Sequence, residues 1–381
     1  MKKTYLAGLL PALLLSGAAH AQNSITLYGL IDEGLDYTSN ASGHGTFAMV
    51  SGDTYGSRFG LKGTEDLGDG LKAIFRLENG FNTNSGKLGQ GGLMFGRQAY
   101  VGLSSDQYGT FTMGRQYDPT IDMWSVFTAA GNWEGDLASH PYDNDNADFD
   151  YRINNSVKYV SPTFRGLTGE AMYGFSNEAG GFADNRVYSA AVQYQMGAVS
   201  AAVAYMKTDN GGLNSTGALA SPTSVFTAAS QQNIDAGASY KFGDKAVLSI
   251  AYSDVYLSNP ISNEYFGTQP TAGSQKSWRF DNFEVNGQYF FKHDLWLGAE
   301  YTYTMAHVAT VTGNYVPTWN QISLMLDYDL SARTSVYVQG AYQHANGHTG
   351  EAFDYAQIIG SPSASSTGNQ MVYRIAMLHR F

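Results

Sequence analysis

The chain has 381 residues, a formal net charge of −11, 14% charged residues, 27 tyrosines, 44 glycines and no cysteine. The acidic balance argues against a nucleic-acid partner, because binding to phosphates needs clustered positive charge. A disulfide framework is excluded. Beyond the N-terminal segment no run of about 18 apolar residues occurs, which excludes crossing a membrane as helices.

The first 21 residues have the features of an export signal. Two lysines precede the apolar run 6–15, and the tripeptide AHA at 19–21 forms a small-x-small cleavage site. A membrane helix is disfavoured, because the run is too short to span a bilayer and a proline interrupts it. We therefore expect a cleaved signal at 1–21 and a mature domain at 22–381 that is exported through the periplasm.

Along the mature chain, apolar and polar residues alternate with period two, the period of a β-strand. In AVLSIAYSD, for example, Leu248, Ile250 and Tyr252 alternate with Ser249 and Ser253. The pattern predicts sixteen strands, at 24–37, 53–64, 70–82, 93–104, 109–116, 151–161, 166–176, 185–196, 198–208, 230–242, 245–258, 277–291, 294–308, 316–328, 333–345 and 369–381.

The connections between these strands alternate in length. Tight turns such as 67–70 and 105–108 alternate with longer connections such as 38–52, 117–150 and 209–229. Short turns on one rim and long loops on the other are typical of outer-membrane barrels. A soluble sandwich would also alternate, but its strands are usually shorter. The sequence therefore predicts an all-β fold, a 16-stranded antiparallel transmembrane β-barrel with short periplasmic turns.

The chain ends with an alternating strand, MVYRIAMLHRF, and its last residue is aromatic. The last strand of a barrel must pair with the first to remove both sheet edges from the membrane. We expect Phe381 to supply an apolar group that faces lipid where the barrel closes.

Three stretches resemble a known family: SRFGLKGTEDLGDGLKAIFRLENGF, GRQAYVGLSSDQYGTFTMGRQYD and NNSVKYVSPTFRGLTGEAMYGF. With the opening ITLYGLIDEGLDY and the terminal Phe381, they are similar to the general diffusion porins of Gram-negative outer membranes, most closely the trimeric porins of the β-proteobacterial type. The resemblance covers essentially residues 22–381.

This resemblance implies a homotrimer in outer-membrane lipid, inserted by the barrel assembly machinery through the C-terminal strand. It implies that a third extracellular loop folds inward to narrow a water-filled channel, through which ions and small hydrophilic solutes diffuse. No cofactor is expected.

The connection 117–150 is the longest between adjacent strands, and it carries eight acidic residues with no lysine or arginine. A structureless segment of that length is usually functional or disordered, and its aromatic residues favour packing. We expect it to be the constriction loop. The acids favoured for the aperture are Asp118, Asp122, Glu134 and Asp136, whereas Asp143, Asp145 and Asp148 are expected to be solvated.

Strand parity places basic side chains on the wall that faces this loop. Arg58, Arg97 and Arg152 match the arginine cluster of the family, and Lys62 and Arg76 share the polar face. Opposed rows of fixed charge would produce a transverse field that disfavours apolar solutes. The acidic loops favour cations and the arginines favour anions, so the sign of the ion selectivity stays open, with cations slightly favoured.

Two charges break the parity rule. Glu33 and Arg115 lie on outward faces, where a charge that meets lipid costs about 2 to 4 kcal/mol at the midplane for arginine. The trimer contact of the family uses strands 1 to 5, so we assign both residues to the subunit interface. A position near a rim is the alternative.

Other functions have less support. The histidines are scattered and no G-x-S-x-G or H-E-x-x-H motif occurs, so neither a catalytic nor a metal site is predicted. A porin selective for sugars or anions is the alternative function, since Trp124, Trp133 and Trp296 could form a track for sugar rings. A structural or adhesive barrel would lack the charged aperture.

Overall fold

The computed structural model describes residues 24–381, and the predicted signal at 1–21 lies outside the described residues. The described chain forms one antiparallel sheet that closes on itself. Its strands are β1 (Ser24–Ala41), β2 (His44–Ser51), β3 (Arg58–Gly68), β4 (Leu71–Gly80), β5 (Gln98–Ser105), β6 (Gly109–Gln116), β7 (Ile153–Val160), β8 (Leu167–Gly174), β9 (Val187–Met196), β10 (Val199–Asp209), β11 (Phe226–Phe242), β12 (Ala246–Asn263), β13 (Gln275–Lys292), β14 (Leu295–Thr310), β15 (Asn314–Tyr315), β16 (Thr318–Ser331), β17 (Thr334–Asn346) and β18 (Asn369–Arg380).

These segments make up sixteen barrel strands. Both β2 and β3 pair with the same edge of β1, so together they form one barrel strand that is interrupted at 52–57. In the same way β15 and β16 both pair with β14. The prediction of a 16-stranded antiparallel barrel is confirmed.

The barrel closes where β18 pairs with β1. Leu30 lies opposite Arg380, and beyond this pair the backbone groups of Gly29 and Phe381 exchange two hydrogen bonds of 3.0 Å. The Phe381 ring lies against Gly29, where a side chain would collide with it, and is 44% exposed. The chain thus ends within the wall.

Connections on one rim are short, such as 69–70 and 197–198, and those on the other include 81–97, 117–152 and 347–368. The predicted loop at 38–52 is wrong, because β1 and β2 continue as a hairpin with its turn at 42–43. There the alternating side chains Phe47 and Met49 extend the outward apolar face.

The side chains alternate as a lipid-facing wall requires. In β16, Ile322, Leu324 and Leu326 are exposed on the outside, whereas Gln321 and Ser323 are buried inside. Helical structure among the described residues is confined to single turns, at Gln90–Gly92, Thr120–Trp124, Ser125–Phe127, Ala130–Glu134, Gly135–Ala138, Pro141–Asp143, Ser221–Thr223 and Ala352–Asp354. None of the helices in residues 24–381 is long and apolar enough to cross a membrane.

A buried ion cluster lies on the inner side of the closure between β1 and β18. The guanidinium of Arg374 is within 3.1 Å of Asp32, 2.9 Å of Asp36 and 3.6 Å of Asp53, and all four side chains are buried. Tyr337 donates to Asp32 over 2.6 Å. One arginine therefore forms ion pairs with three carboxylates, two from β1 and one from the 52–57 connection.

Replacing Arg374 by Gln should destabilise the folded barrel by about 3–5 kcal/mol, because the buried carboxylates lose their only close cation among the described residues. The measurement is the temperature at which the folded band disappears on SDS gels. Arg333→Gln, in the exposed turn after β16, is the matched control and should leave that temperature unchanged. Equal temperatures for the two variants would contradict the structural role of the cluster.

Candidate functional site

The connection between β6 and β7, residues 117–152, lies inside the barrel and is called the inner loop below. Its apolar side chains are buried, with Trp124 and Leu137 both 0% exposed. Two glycines of the wall make room for its rings, since a side chain at Gly298 would collide with Trp133 and one at Gly237 with Phe127. The inner loop therefore packs directly on the backbone of β11 and β14.

Polar contacts also tie the inner loop to this side of the wall. The indole of Trp133 donates to Asn286 over 3.3 Å, and Gln321 donates to the carbonyl of Ser139 over 3.1 Å. Gln339 donates to the carbonyl of Glu134 over 2.7 Å. Lumen-facing amides thus satisfy buried loop groups, which would otherwise be costly in free energy.

His140 forms a charged bridge from the inner loop to the wall. Its ring nitrogens lie 2.6 Å from Asp145 and 3.0 Å from Glu284 of β13. Burial alone would lower the pKa of His140, but the two carboxylates raise that pKa well above its usual range. The imidazolium therefore persists at neutral pH and donates from both nitrogens.

On the opposite side the inner loop leaves open space. A cavity of about 790 Å³ separates it from the wall formed by β3, β4, the residues just before β5 and the end of β18. Its charged lining on the wall side is Arg58, Arg76, Glu78, Arg97 and Arg380, and on the loop side Asp136, Asp148, Asp150 and Arg152. Positive and negative groups thus face each other across it.

Shared acceptors hold the arginines side by side. Glu78 accepts from Arg97 over 3.0 Å and from Arg76 over 2.8 Å. The hydroxyl of Tyr117 accepts from Arg97 over 2.9 Å and from Arg152 over 2.7 Å. Neither acceptor was identified from the sequence. The alternation along β4 places Glu78 on the same lumen face as Arg76, so the sequence could have identified it. Nothing in the sequence singles out Tyr117.

The other two predicted basic residues, Arg76 and Lys62, lie in different places. Arg76 lines the cavity, but Lys62 does not. Lys62 lies over the ring of Tyr28, 5.5 Å from its centroid, and lines a separate recess of about 290 Å³. The arginine cluster Arg58, Arg97 and Arg152 is brought together at the cavity.

Of the four acids favoured for the aperture, only Asp136 lines the cavity. Asp122 pairs with Lys158 of β7. Asp118 is buried and accepts from the backbone of Thr120 over 2.9 Å, and burial raises its pKa to about 6. Neither residue lines the cavity, and their assignment to the aperture stays a prediction.

Glu134 does not line the cavity either. It is fully buried and accepts from Ser323 of β16 over 2.5 Å. Burial raises the pKa of Glu134 well above its usual range. The prediction that Asp143 and Asp145 are solvated is wrong, since both are fully buried, whereas Asp148 is partly exposed and lines the cavity. Asp143 and Asp145 are covered because the inner loop lies against the wall.

The two outward charges have partners within their own chain. Thr83, in the connection after β4, donates to Glu33 and lies over the outer face of β1 and β2. Arg115 sits at a bulge of β6, is 8% exposed, and donates to the carbonyl of Gly96 over 2.7 Å. Intramolecular burial accounts for both charges, and the interface assignment stays a prediction.

The three tryptophans considered for a sugar track do not form one. Trp124 is 0% and Trp133 is 3% exposed, so neither presents a free ring face. Trp296 is partly exposed and meets the edge of Trp133, with 5.9 Å between ring centroids. Their common role in this structure is packing of the inner loop.

Replacing His140 by Gln should loosen the inner loop, because Asp145 and Glu284 lose a buried cation. We expect more open-channel current noise in planar bilayers. Since the folded pKa is raised, the contribution of His140 is fully present below an unfolded pKa of about 6.5 and is lost only as pH rises through the higher folded value. Noise in the wild type should thus stay constant across neutral pH.

His293→Gln is the control for this variant, since the His293 side chain is 94% exposed in a turn. If the open-channel current noise of His140→Gln equals that of the control, the bridge does not hold the inner loop.

Comparisons with known proteins agree with this architecture. The family model for Gram-negative porins matches residues 7–348. An outer membrane porin protein of Bordetella pertussis is 33% identical, over 90% of this chain and 94% of the relative. Outer membrane porin protein 32 of Delftia acidovorans is 34% identical, over 64% of this chain and 67% of the relative.

Among solved structures, the anion-selective porin from Comamonas acidovorans superposes with a TM-score of 0.71 at 22% identity, covering 94% of this chain and 100% of that one. OmpT of Vibrio cholerae superposes with a TM-score of 0.64 at 17% identity. The chain therefore belongs to the Gram-negative porins, outer-membrane channels for passive diffusion rather than enzymes.

Proposed function

We propose that the cavity between the inner loop and the arginine wall is the constriction of this diffusion channel, and that it prefers small hydrophilic anions. The observation that carries the proposal is the charge of its lining. Five arginines surround the cavity, namely Arg58, Arg76, Arg97, Arg152 and Arg380.

The acidic residues on the loop side of the cavity contribute less negative charge than their number suggests. Burial and the neighbouring Asp148 raise the pKa of Asp136 well above its usual range, and burial does the same for Asp148. Burial also raises the pKa of Asp150. These carboxyls therefore ionise less readily than free ones, and five arginines face four acidic residues in the lining, so the charge balance favours anions instead of the cations slightly favoured from sequence.

The arrangement also accounts for selection by polarity. Water in a narrow gap between fixed charges of opposite sign orients along the field. A solute must replace those oriented dipoles and hydrogen bonds to pass, which small polar molecules do and apolar ones do not. The alternative of a sugar-selective porin has less support, because Trp124 and Trp133 are buried and cannot form an aromatic track for sugar rings.

Arg58→Gln tests the ion preference. The guanidinium of Arg58 bonds only to the carbonyl of Gly56, over 2.9 Å, among the described residues, so its charge is not offset by a paired carboxylate. We expect the chloride-to-potassium permeability ratio, read from the reversal potential in a KCl gradient, to fall about twofold or more.

Arg279→Gln is the matched control. Arg279 is an ion-paired arginine that lies on the outer face of β13 and is 49% exposed, so it should leave the reversal potential unchanged. A wild-type reversal potential that shows cation preference would overturn the proposal.

We also propose that the protein assembles as a homotrimer through β1 to β6, with Glu33 and Arg115 near the contact. One carboxylate oxygen of Glu33 and one terminal nitrogen of Arg115 are buried without a partner among the described residues, which leaves bonding capacity for a neighbouring subunit. Insertion through the C-terminal strand and Phe381 by the barrel assembly machinery is part of the same proposal.

Arg115→Ala should lower the temperature at which trimers dissociate in SDS. Arg165→Ala, in the turn between β7 and β8, should not. The readout is the ratio of trimer to monomer bands, measured on folded protein. Trimers of Arg115→Ala that are as resistant to heat as those of the wild type would contradict the interface role.

A further inference from the structure

Tyr117 occupies a distinctive place in the arginine wall. It follows β6 directly, its side chain is 8% exposed, and its hydroxyl lies between two guanidinium groups. The plane of its ring is covered by Arg152, whose central carbon is 4.8 Å from the ring centroid. Phe149 packs edge-on against it, with 5.5 Å between centroids. Two packing contacts thus hold the ring.

We propose that Tyr117 is a positioning residue for ion selectivity, whose hydroxyl holds Arg97 and Arg152 next to each other at the constriction and whose proton sets the net charge of that cluster. Two guanidinium groups repel each other, and a common acceptor between them offsets that repulsion. The inference rests on the proposed constriction and adds the residue that organises and titrates it.

Within the described residues, the hydroxyl of Tyr117 accepts hydrogen bonds from Arg97 and Arg152 and donates none. Two charge-assisted bonds stabilise a phenolate more than a phenol, because the acceptor charge increases on ionisation. Loss of this proton would remove one positive charge from the cluster. Ion preference would then depend on pH through this tyrosine in addition to the loop carboxyls Asp136 and Asp148.

The charged surroundings of Tyr117 favour this direction. Burial alone would raise the pKa of Tyr117, but Arg152, Arg97 and Arg58 lower that pKa below its usual range, with Glu78 opposing them. Lys158 donates to the backbone carbonyl of Tyr117 over 3.0 Å. The ionisable side chains that face it are Arg58 of β3, Glu78 of β4, Arg97 before β5, Arg115 of β6, Arg152 of the inner loop and Lys158 of β7.

The test is the chloride-to-potassium permeability ratio of the wild-type trimer and of Tyr117→Phe, measured from about pH 7 to about pH 10. In the wild type we expect the ratio to fall about twofold over this range as the phenolate forms. In Tyr117→Phe the ratio should fall less over this range than in the wild type, because only the loop carboxyls remain to ionise. The current noise should be higher at every pH, because the two guanidiniums have lost their common acceptor.

Tyr55→Phe is the matched control. Tyr55 lines the same cavity and contacts Arg380, at 5.3 Å from its ring centroid, but neither Arg97 nor Arg152 is bonded to its hydroxyl. This variant should keep the pH dependence of the wild type. A ratio that falls with pH equally in all three proteins would overturn the role of Tyr117.

A second measurement needs no substitution. Protein produced with 3-fluorotyrosine has more acidic phenols, so the fall in the permeability ratio should move to lower pH, and an unmoved fall would overturn the inference. The proposed function is judged separately, from the sign of the wild-type reversal potential at about pH 7. Cation preference there would overturn the proposed function, whereas the difference between Tyr117→Phe and the wild type still decides the role of Tyr117.

Discussion

A sheet that lies in hydrocarbon has no water to satisfy its edges, so its first and last strands must pair with each other. In this protein β18 meets β1, and the last backbone groups are used where Phe381 bonds to Gly29. Closure divides all side chains into an outer, apolar set and an inner, largely polar set. It also encloses a lumen wide enough to hold a folded segment of its own chain.

The inner loop uses that lumen unevenly. It packs on the side of β11 to β17, where Gly237 and Gly298 let its rings approach and His140 bridges to Glu284. The arginines occupy the opposite side, so the open cavity is displaced from the barrel axis toward β3 and β4. Packing of the inner loop and the proposed permeation path thereby lie on different halves of one wall. The inner loop occupies part of the lumen without filling it.

The barrel could be predicted from sequence because lipid imposes strict alternation on each strand, and sixteen strands were found in this way. The inner loop has no such period. Glu134 and Asp136 are two residues apart, yet one bonds to Ser323 and the other lines the cavity, since a short helical turn separates their directions. Arg58, Arg97 and Arg152 were found through a resemblance, whereas the shared acceptors Glu78 and Tyr117 become visible only when the wall is folded.

The ion cluster at the closure joins residues from the two ends of the sheet. Arg374 and Asp36 are 338 positions apart in sequence, so this bond forms only when the last strand pairs with the first. In an open sheet Asp32 and Asp36 would lie on an edge strand without Arg374. Burial of these two carboxylates is thereby coupled to closure of the barrel.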